Sequence, residues 1–351
     1  MKHSYKNKNE VILLLTDVTG RVKPVSIEER GKIIASGGKA RSVIIHEYEV
    51  SEKYREIVHR HMDNYIGDMA RYTGILAERL YEAKGSSLVL VDIVRAGIPI
   101  GILVRRYLKK FYNADIPHYG ISLVEGFDPK AMEYIISRHG RSGIQFIDGW
   151  TGKGTVAKEI LKSCMDYDGV DASLAVLSDC TGFAKYAGTR EDVYIPHSPL
   201  NAAVTGLVSI TVKNPEYSGK NGFHAAMYLK NMEQYDESEQ FVDAVSAWFS
   251  KQMPEEIKPD GWGIPYMMMG EGINKIAVET GNDRSLLNPG INEAARAVLR
   301  RDLDSLLVYD KNDYDLIPLM ELAESKGIRI IEYKKLYGYK AVSVAKDGYI
   351  R

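Results

Sequence analysis

The stretch from Gly143 to Thr155, Gly-Ile-Gln-Phe-Ile-Asp-Gly-Trp-Thr-Gly-Lys-Gly-Thr, holds residues whose types and spacing could do chemistry. Ile144 to Ile147 read as a short buried strand, and the glycines of 149–154 as a loop that turns tightly and lets a ligand approach the backbone. Thr155 to Lys162 then read as a helix with Thr155 at its N-cap. A helix N-terminus with free N–H groups and threonine hydroxyls suits a phosphate, and Asp148 is placed to accept hydrogen bonds from sugar hydroxyls. The plainer alternative is an ordinary strand-to-helix turn. A second chemistry is open at Cys180, which follows a strand and precedes Thr181-Gly182. A nucleophilic thiol needs a base, for which His197 and His224 are candidates, and an oxyanion hole. Cys164 shares a helix with Ile160 and Leu161 and reads as core. His118 and His139 have no partner at ligand spacing and read as structural.

Strands and helices must bring these residues together. Ser87 to Val94 is an apolar run typical of a parallel strand buried on both sides, and Ile98 to Lys110 is an amphipathic helix. Ile116 to Val124 reads as a strand, Pro129 to Arg138 as a helix, and Ala172 to Leu177 as a strand ending at Ser178-Asp-Cys-Thr-Gly182. This alternation predicts βαβ units and a parallel sheet. Ligands collect at the carboxyl ends of such strands, and Arg95, Ser122, Asp148 and Asp179 all lie there. Upstream, Val11 to Leu15 predicts a strand, Val25 to Ile34 a helix capped near Ser26, and Glu52 to Ala83 a long helix. Arg60, His61 and Arg71 on that helix read as a solvated face.

Residues 191–211 form an irregular covering segment, with helices to about Lys251 and a linker from Met253 to Gly261. The remainder reads as a small alternating α/β unit, with Met267 to Met269 as packing. The expected domains are therefore 1–255, with 1–85 as an extension or hood, and 263–351. The 351-residue length suits two domains at ~150 residues each. A net charge of -1 gives no global basic field, so nucleic-acid binding needs a local patch. Two cysteines fit a reducing compartment and exclude a disulfide framework or a four-cysteine zinc site. The polar N-terminus, and the lack of any apolar run near membrane-span length, make the expected location cytoplasmic.

Two segments resemble type I phosphoribosyltransferases. Phe146 to Thr155 is similar to their phosphoribosyl-pyrophosphate motif, with Gly149 where a second acid usually stands. Val91 to Gly101 is similar to their pyrophosphate loop, especially that of uracil phosphoribosyltransferases. The resemblance implies an α/β fold: a type I phosphoribosyltransferase-like parallel sheet with flanking helices, plus a small C-terminal domain. It also implies transfer of a 5-phosphoribosyl group from phosphoribosyl pyrophosphate to a nucleobase-like acceptor, with Mg²⁺ bridging substrate oxygens and Asp148. In that reading Asp148 holds ribose hydroxyls, and Thr151, Gly152, Lys153, Gly154 and Thr155 hold the 5'-phosphate. Arg95, Ala96 and Gly97 hold pyrophosphate, while Asp179 and Thr181 face the acceptor. Asp148, Arg95 and Asp179 are then the catalytic set, and a homodimer is common among similar enzymes.

The likeness extends through residues 195–201 (Ile-Pro-His-Ser-Pro-Leu-Asn), 205–209 (Thr-Gly-Leu-Val-Ser) and Phe223-His224 to a bacterial family found with tellurite and stress-resistance operons. Its members join a phosphoribosyltransferase-like domain to a C-terminal Pelota-type RNA-binding domain, and some are named cysteine protease StiP. Gly290 to Arg296 resembles the Gly-x-Asn-Glu motif of Pelota-type and kink-turn-binding domains. This implies RNA contacts by Gly290, Asn292, Glu293 and Arg296, with Arg300 and Arg301 nearby. A capped helix with an exposed basic face is the plainer reading. The rivals to the transferase are a cysteine hydrolase using Cys180 and a non-catalytic nucleotide- or RNA-binding protein.

Overall fold

The structure is a computed structural model that describes residues 1–39, 41–47, 49–219, 222–252 and 271–346. The linker, the Met267–Met269 run and the expected boundaries at 255 and 263 lie outside the described residues. In chain order the first part contains β1 (Ile12–Leu13), β2 (Thr16–Asp17), α1 (Ile27–Ala35), α2 (Glu52–Lys84), β3 (Val89–Ile93) and α3 (Gly97–Tyr112). Next come β4 (His118–Ile121), α4 (Pro129–His139), β5 (Ile144–Trp150), α5 (Thr155–Cys164), β6 (Leu174–Ser178) and β7 (Tyr186–Thr189). The short α6 (Pro215–Ser218), β8 (Ala225–Ala226) and α7 (Ser238–Ala247) complete it.

These strands form a six-stranded sheet in the order β1-β4-β3-β5-β6-β7, with every pairing parallel. All five residues of β3 are buried, as a strand covered on both faces requires. Its side chains alternate between two cores. Leu90 packs with α2 and α3, whereas Val89 and Val91 pack with α4 and α5. The β4 and β5 strands lie on opposite sides of β3, so the strand order reverses between β3 and β5. A parallel sheet opens a crevice at such a point, beyond the carboxyl ends of the strands. The loops that start at Arg95 and at Thr151 meet there.

The C-terminal part contains α8 (Glu271–Thr280), β9 (Leu287–Pro289), α9 (Ile291–Arg300), β10 (Leu303–Val308), α10 (Ile317–Ser325), β11 (Arg329–Glu332) and β12 (Ala341–Ala345). Its sheet runs β11-β10-β12-β9, parallel only between β10 and β11. The apolar core does not stop at the domain boundary. One continuous cluster joins Ile57 and Tyr65 of α2 to Ile291 and Val298 of α9 and Leu319 of α10.

Three local expectations change. The Val11–Leu15 run contributes only two ladder residues. The β5 strand continues through Gly149 to Trp150, and the N-cap of α5 is Gly154, not Thr155, with φ +73° and no side-chain cap bond. On α2 the side chains of Arg60 and Arg71 are exposed as expected, whereas His61 is half-buried, with Nε2 2.7 Å from Glu321 Oε2 of the C-terminal part, a carboxylate that Arg60 also bonds.

Candidate active site and its cover

The loop after β5 is anchored below by Thr151, whose N–H donates to Ser178 O at 3.1 Å. Above, it faces a cleft of 240 Å³ shared with the C-terminal domain. Trp150 Nε1 donates to Glu293 Oε1 at 3.0 Å, and Arg296 donates to the same oxygen at 2.8 Å with its guanidinium 5.7 Å from the indole. Tyr339 OH donates to Gly152 O at 3.1 Å, and Lys153 Nζ donates to Arg284 O at 3.0 Å and Ser285 O at 3.3 Å. A Cβ on Gly152 would stand 3.0 Å from Glu293 Cγ, so the close approach of the two domains uses this glycine. Asp148 is buried at the base of the cleft. Burial pushes its carboxyl up to about 7, offset in part by the Gly149 N–H and Arg296 and reinforced by Glu293 and Asp92.

The Arg95 loop lies alongside. The Val94–Arg95 peptide is cis, and a Cβ on Gly149 would stand 3.4 Å from Ala96. The backbone arrangement expected for Arg95, Ala96 and Gly97 is thus adjacent to Asp148, but the Arg95 side chain is already engaged. It donates to both carboxylate oxygens of Glu47, at 2.5 and 3.1 Å, and to Val208 O at 3.0 Å. Arg300 joins Glu47 from the C-terminal domain at 2.7 Å. Burial opposes ionisation of Glu47, but the two guanidinium groups outweigh it and hold the carboxyl down at about 2. With its amide turned, Asn201 accepts from both arginines.

Asp179 does not face an acceptor. It is fully buried and accepts from Thr151 Oγ1, from the N–H groups of Thr181, Phe183 and Ala184, and from Arg190. Its work is to tie the β5 and β6 loops together, and Thr181 Oγ1 belongs to the same network. Among the described residues, no three His, Cys, Asp or Glu gather as a group that could hold a metal ion.

The two thiols differ in place. Cys164 is buried in α5, where burial and then Asp171 push it up to about 12. Cys180 is half-buried on the turn after β6 and packs against the cluster of Ile273, Leu336 and Tyr339 in the C-terminal domain. Burial raises its thiol well above the ordinary range, and Asp192 and Asp179 add to the shift. Among the described residues, no hydrogen bond joins either thiol to a histidine. His197 is buried between Trp150 and Phe241, at 6.1 and 4.5 Å between ring centroids, and neither ring nitrogen has a partner. Burial holds it neutral, with a pKa of about 3. His224 bonds Ser122 Oγ at 3.0 Å, at the end of β4. Three strand spacings, about 14 Å, separate that point from the end of β6.

Gly290, Asn292, Glu293 and Arg296 all lie on the inward face of the C-terminal domain. Ile291 N donates to both oxygens of Asp192, at 3.0 and 3.3 Å, and Lys340 N adds a third bond at 2.8 Å. Asn292 accepts from Ile195 N at 2.8 Å and donates to Val193 O at 2.9 Å. The capped helix is therefore present, but its basic face is covered rather than exposed. The sequence pointed to these residues and to the cleft loop. It held no sign of Glu47 or Asp192, whose partners lie far away in the chain.

Comparison with known proteins places this geometry. The profile described as StiP, a tellurite-like stress resistance cysteine protease, matches residues 3–246. The profile described as a Pelota RNA-binding domain matches residues 271–347. A protein of Acinetobacter baylyi called "Cysteine protease StiP" is 30% identical over 341 residues, covering 92% of this chain and 88% of that protein. These names overturn the phosphoribosyltransferase expectation, together with its donor, its nucleobase acceptor and its glycosyltransferase class. The site offers a physical reason. The arginine meant for pyrophosphate is taken by Glu47, and the loop meant for the 5'-phosphate is held by the C-terminal domain.

Proposed function

The chain belongs to the StiP family of tellurite-like stress resistance cysteine proteases, and from that premise we propose that it is a cysteine peptidase with Cys180 as nucleophile, resting in a closed state. The observation that carries this reading is position. Of the two thiols, Cys180 stands at the carboxyl end of a sheet strand against the cleft-forming domain, where parallel sheets place their chemistry, whereas Cys164 is core.

His197 is the base. Its nitrogens are free, and its neighbour Trp150 ends the strand next to β6, whereas His224 belongs to the far side of the sheet. On opening, His197 takes the thiol proton and the thiolate adds to the scissile carbonyl. The amine leaves with that proton, and water then hydrolyses the thioester. In the closed state neither step starts, because burial and nearby carboxylates keep the thiol protonated. The C-terminal domain grips Asp192, Val193 and Ile195, and so fixes the segment that carries His197.

A peptidyl chloromethyl ketone incubated with the full chain, followed by peptide mapping, tests the assignment. Label on Cys180 is expected to accumulate slowly, through the minor open state, to be lost in Cys180→Ala and in His197→Ala and kept in Cys164→Ala and His224→Ala. Casein turnover unchanged in Cys180→Ala would refute the nucleophile. A second reading, a non-catalytic binding protein, is favoured by the carboxylates around the thiol. It predicts neither label nor turnover under any condition.

We further infer that the first domain has the phosphoribosyltransferase-like fold without that activity. The parallel order and the paired loops at the strand reversal support this. Domain extents of 1–255 and 263–351, RNA as partner of the C-terminal domain, and a reducing cytoplasmic setting complete the proposal. The two profile ranges and the pair of free cysteines support it. No helix among the described residues is long and apolar enough to cross a membrane.

A further inference from the structure

The C-terminal domain holds the first domain with the groups it would need for a phosphodiester chain. An anion is best received where backbone N–H groups converge at a helix N-terminus and where guanidinium groups cluster. In this chain both features lie on α9, and each already holds a carboxylate from the first domain. Asp192 sits at the N-terminus of α9, bonded by Ile291 N and Lys340 N. Glu47 lies between Arg300 of α9 and Arg95. The edge groups of Asn292 and Glu293 are spent on Ile195, Val193 and Trp150. Among the described residues, the outer face carries exposed cations that are mostly paired. There Arg329 pairs with Asp304, Lys334 with Glu332, Lys335 with Glu279 and Lys346 with Asp302.

We infer that RNA and the first domain compete for the α9 face, with Asp192 and Glu47 standing in for RNA phosphates, so that RNA binding releases the cover from Cys180. The inference rests on the RNA-binding reading of residues 271–347. Reciprocity follows from linkage: the factor by which docking weakens RNA binding is the factor by which RNA loosens docking. Acidic side chains held by basic groups make good placeholders, because RNA phosphates offer the same charge and acceptor geometry at higher density.

Two measurements on the full chain decide it. Anisotropy of a fluorescein-labelled RNA hairpin with an internal loop is followed in low salt for the wild type and for Glu47→Gln/Asp192→Asn, with folding of the variant checked by circular dichroism. The variant is expected to bind at least tenfold more tightly. In the wild type, N-ethylmaleimide modification of Cys180 is timed by mass spectrometry with and without saturating hairpin, which needs no substitution. RNA is expected to speed it at least tenfold. Binding of the hairpin with no acceleration at Cys180 would overturn the competition while leaving the RNA-binding reading intact. No binding by either form, with this hairpin or with single-stranded RNA, would overturn the RNA-binding reading and the inference with it.

Discussion

Asp148 is unusual among the carboxyls of the cleft, because burial raises its pKa from 3.8 to about 7. The folded chain therefore keeps a proton that the unfolded chain releases. Its contribution to stability is fully present below about pH 4 and is lost as pH rises through 7. Asp148→Asn keeps the shape and removes the titration. It is expected to match the wild type near pH 4 and to be more stable at pH 8, by on the order of 2–4 kcal/mol. Urea midpoints across that range read the difference, and parallel curves for the two proteins would remove burial as the cause. At this scale the sequence marks residues by type and near neighbours. Asp148, the glycine loop and Cys180 stand out by type and neighbours. Glu47 and Asp192 do not, because the partners of Glu47 lie 48 and 253 residues away, Asp192 is bonded from 99 residues away, and no short-range pattern marks them.

At the scale of elements, the entry into α5 is set by Gly154. Its φ of +73° and the Phe183 ring, whose nearest atom would lie 2.3 Å from a Cβ, both exclude a side chain. Gly154→Ala is expected to cost about 1–3 kcal/mol or more through overpacking and strain. Gly140→Ala, at φ +74° and ψ −162° with nothing within 4 Å of a Cβ, should cost about 1–3 kcal/mol from backbone strain alone. Thermal melts of the two variants measure both costs. Helices were legible because their ends carry their own signals. Ser26 and Glu29 form a capping box on α1, and Asp128 with Pro129 opens α4. The two-residue strands β1 and β2 were not, since a strand that short is defined by its partner, here β4 and β8, rather than by its own sequence.

For the whole molecule, the interface contains two very different ionic contacts. The Glu47 cluster is buried, so Glu47→Gln leaves two guanidinium groups short of their counter-charge and is expected to destabilise the fold by about 3–5 kcal/mol. Because its folded pKa of about 2 lies below the ordinary value of 4.5, the wild-type contribution is complete above pH 4.5 and fades as pH falls toward 2. The more exposed Arg60–Glu321 contact should be worth less than about 1 kcal/mol, so Glu321→Ala in the same denaturation series is the comparison. Two domains were readable from composition and alternation, but their shared core was not, since it is made by contacts between distant parts of the chain. Its centre is α2, a helix of 33 residues whose Tyr54 and Tyr65 hydroxyls bond Ala295 O and Tyr314 O of the C-terminal domain. A gene that ended at codon 252 would encode a helix with one flank stripped, and its product is expected in inclusion bodies rather than in the supernatant. Fission of the gene, or shuffling of either half onto a new neighbour, would expose the same strip.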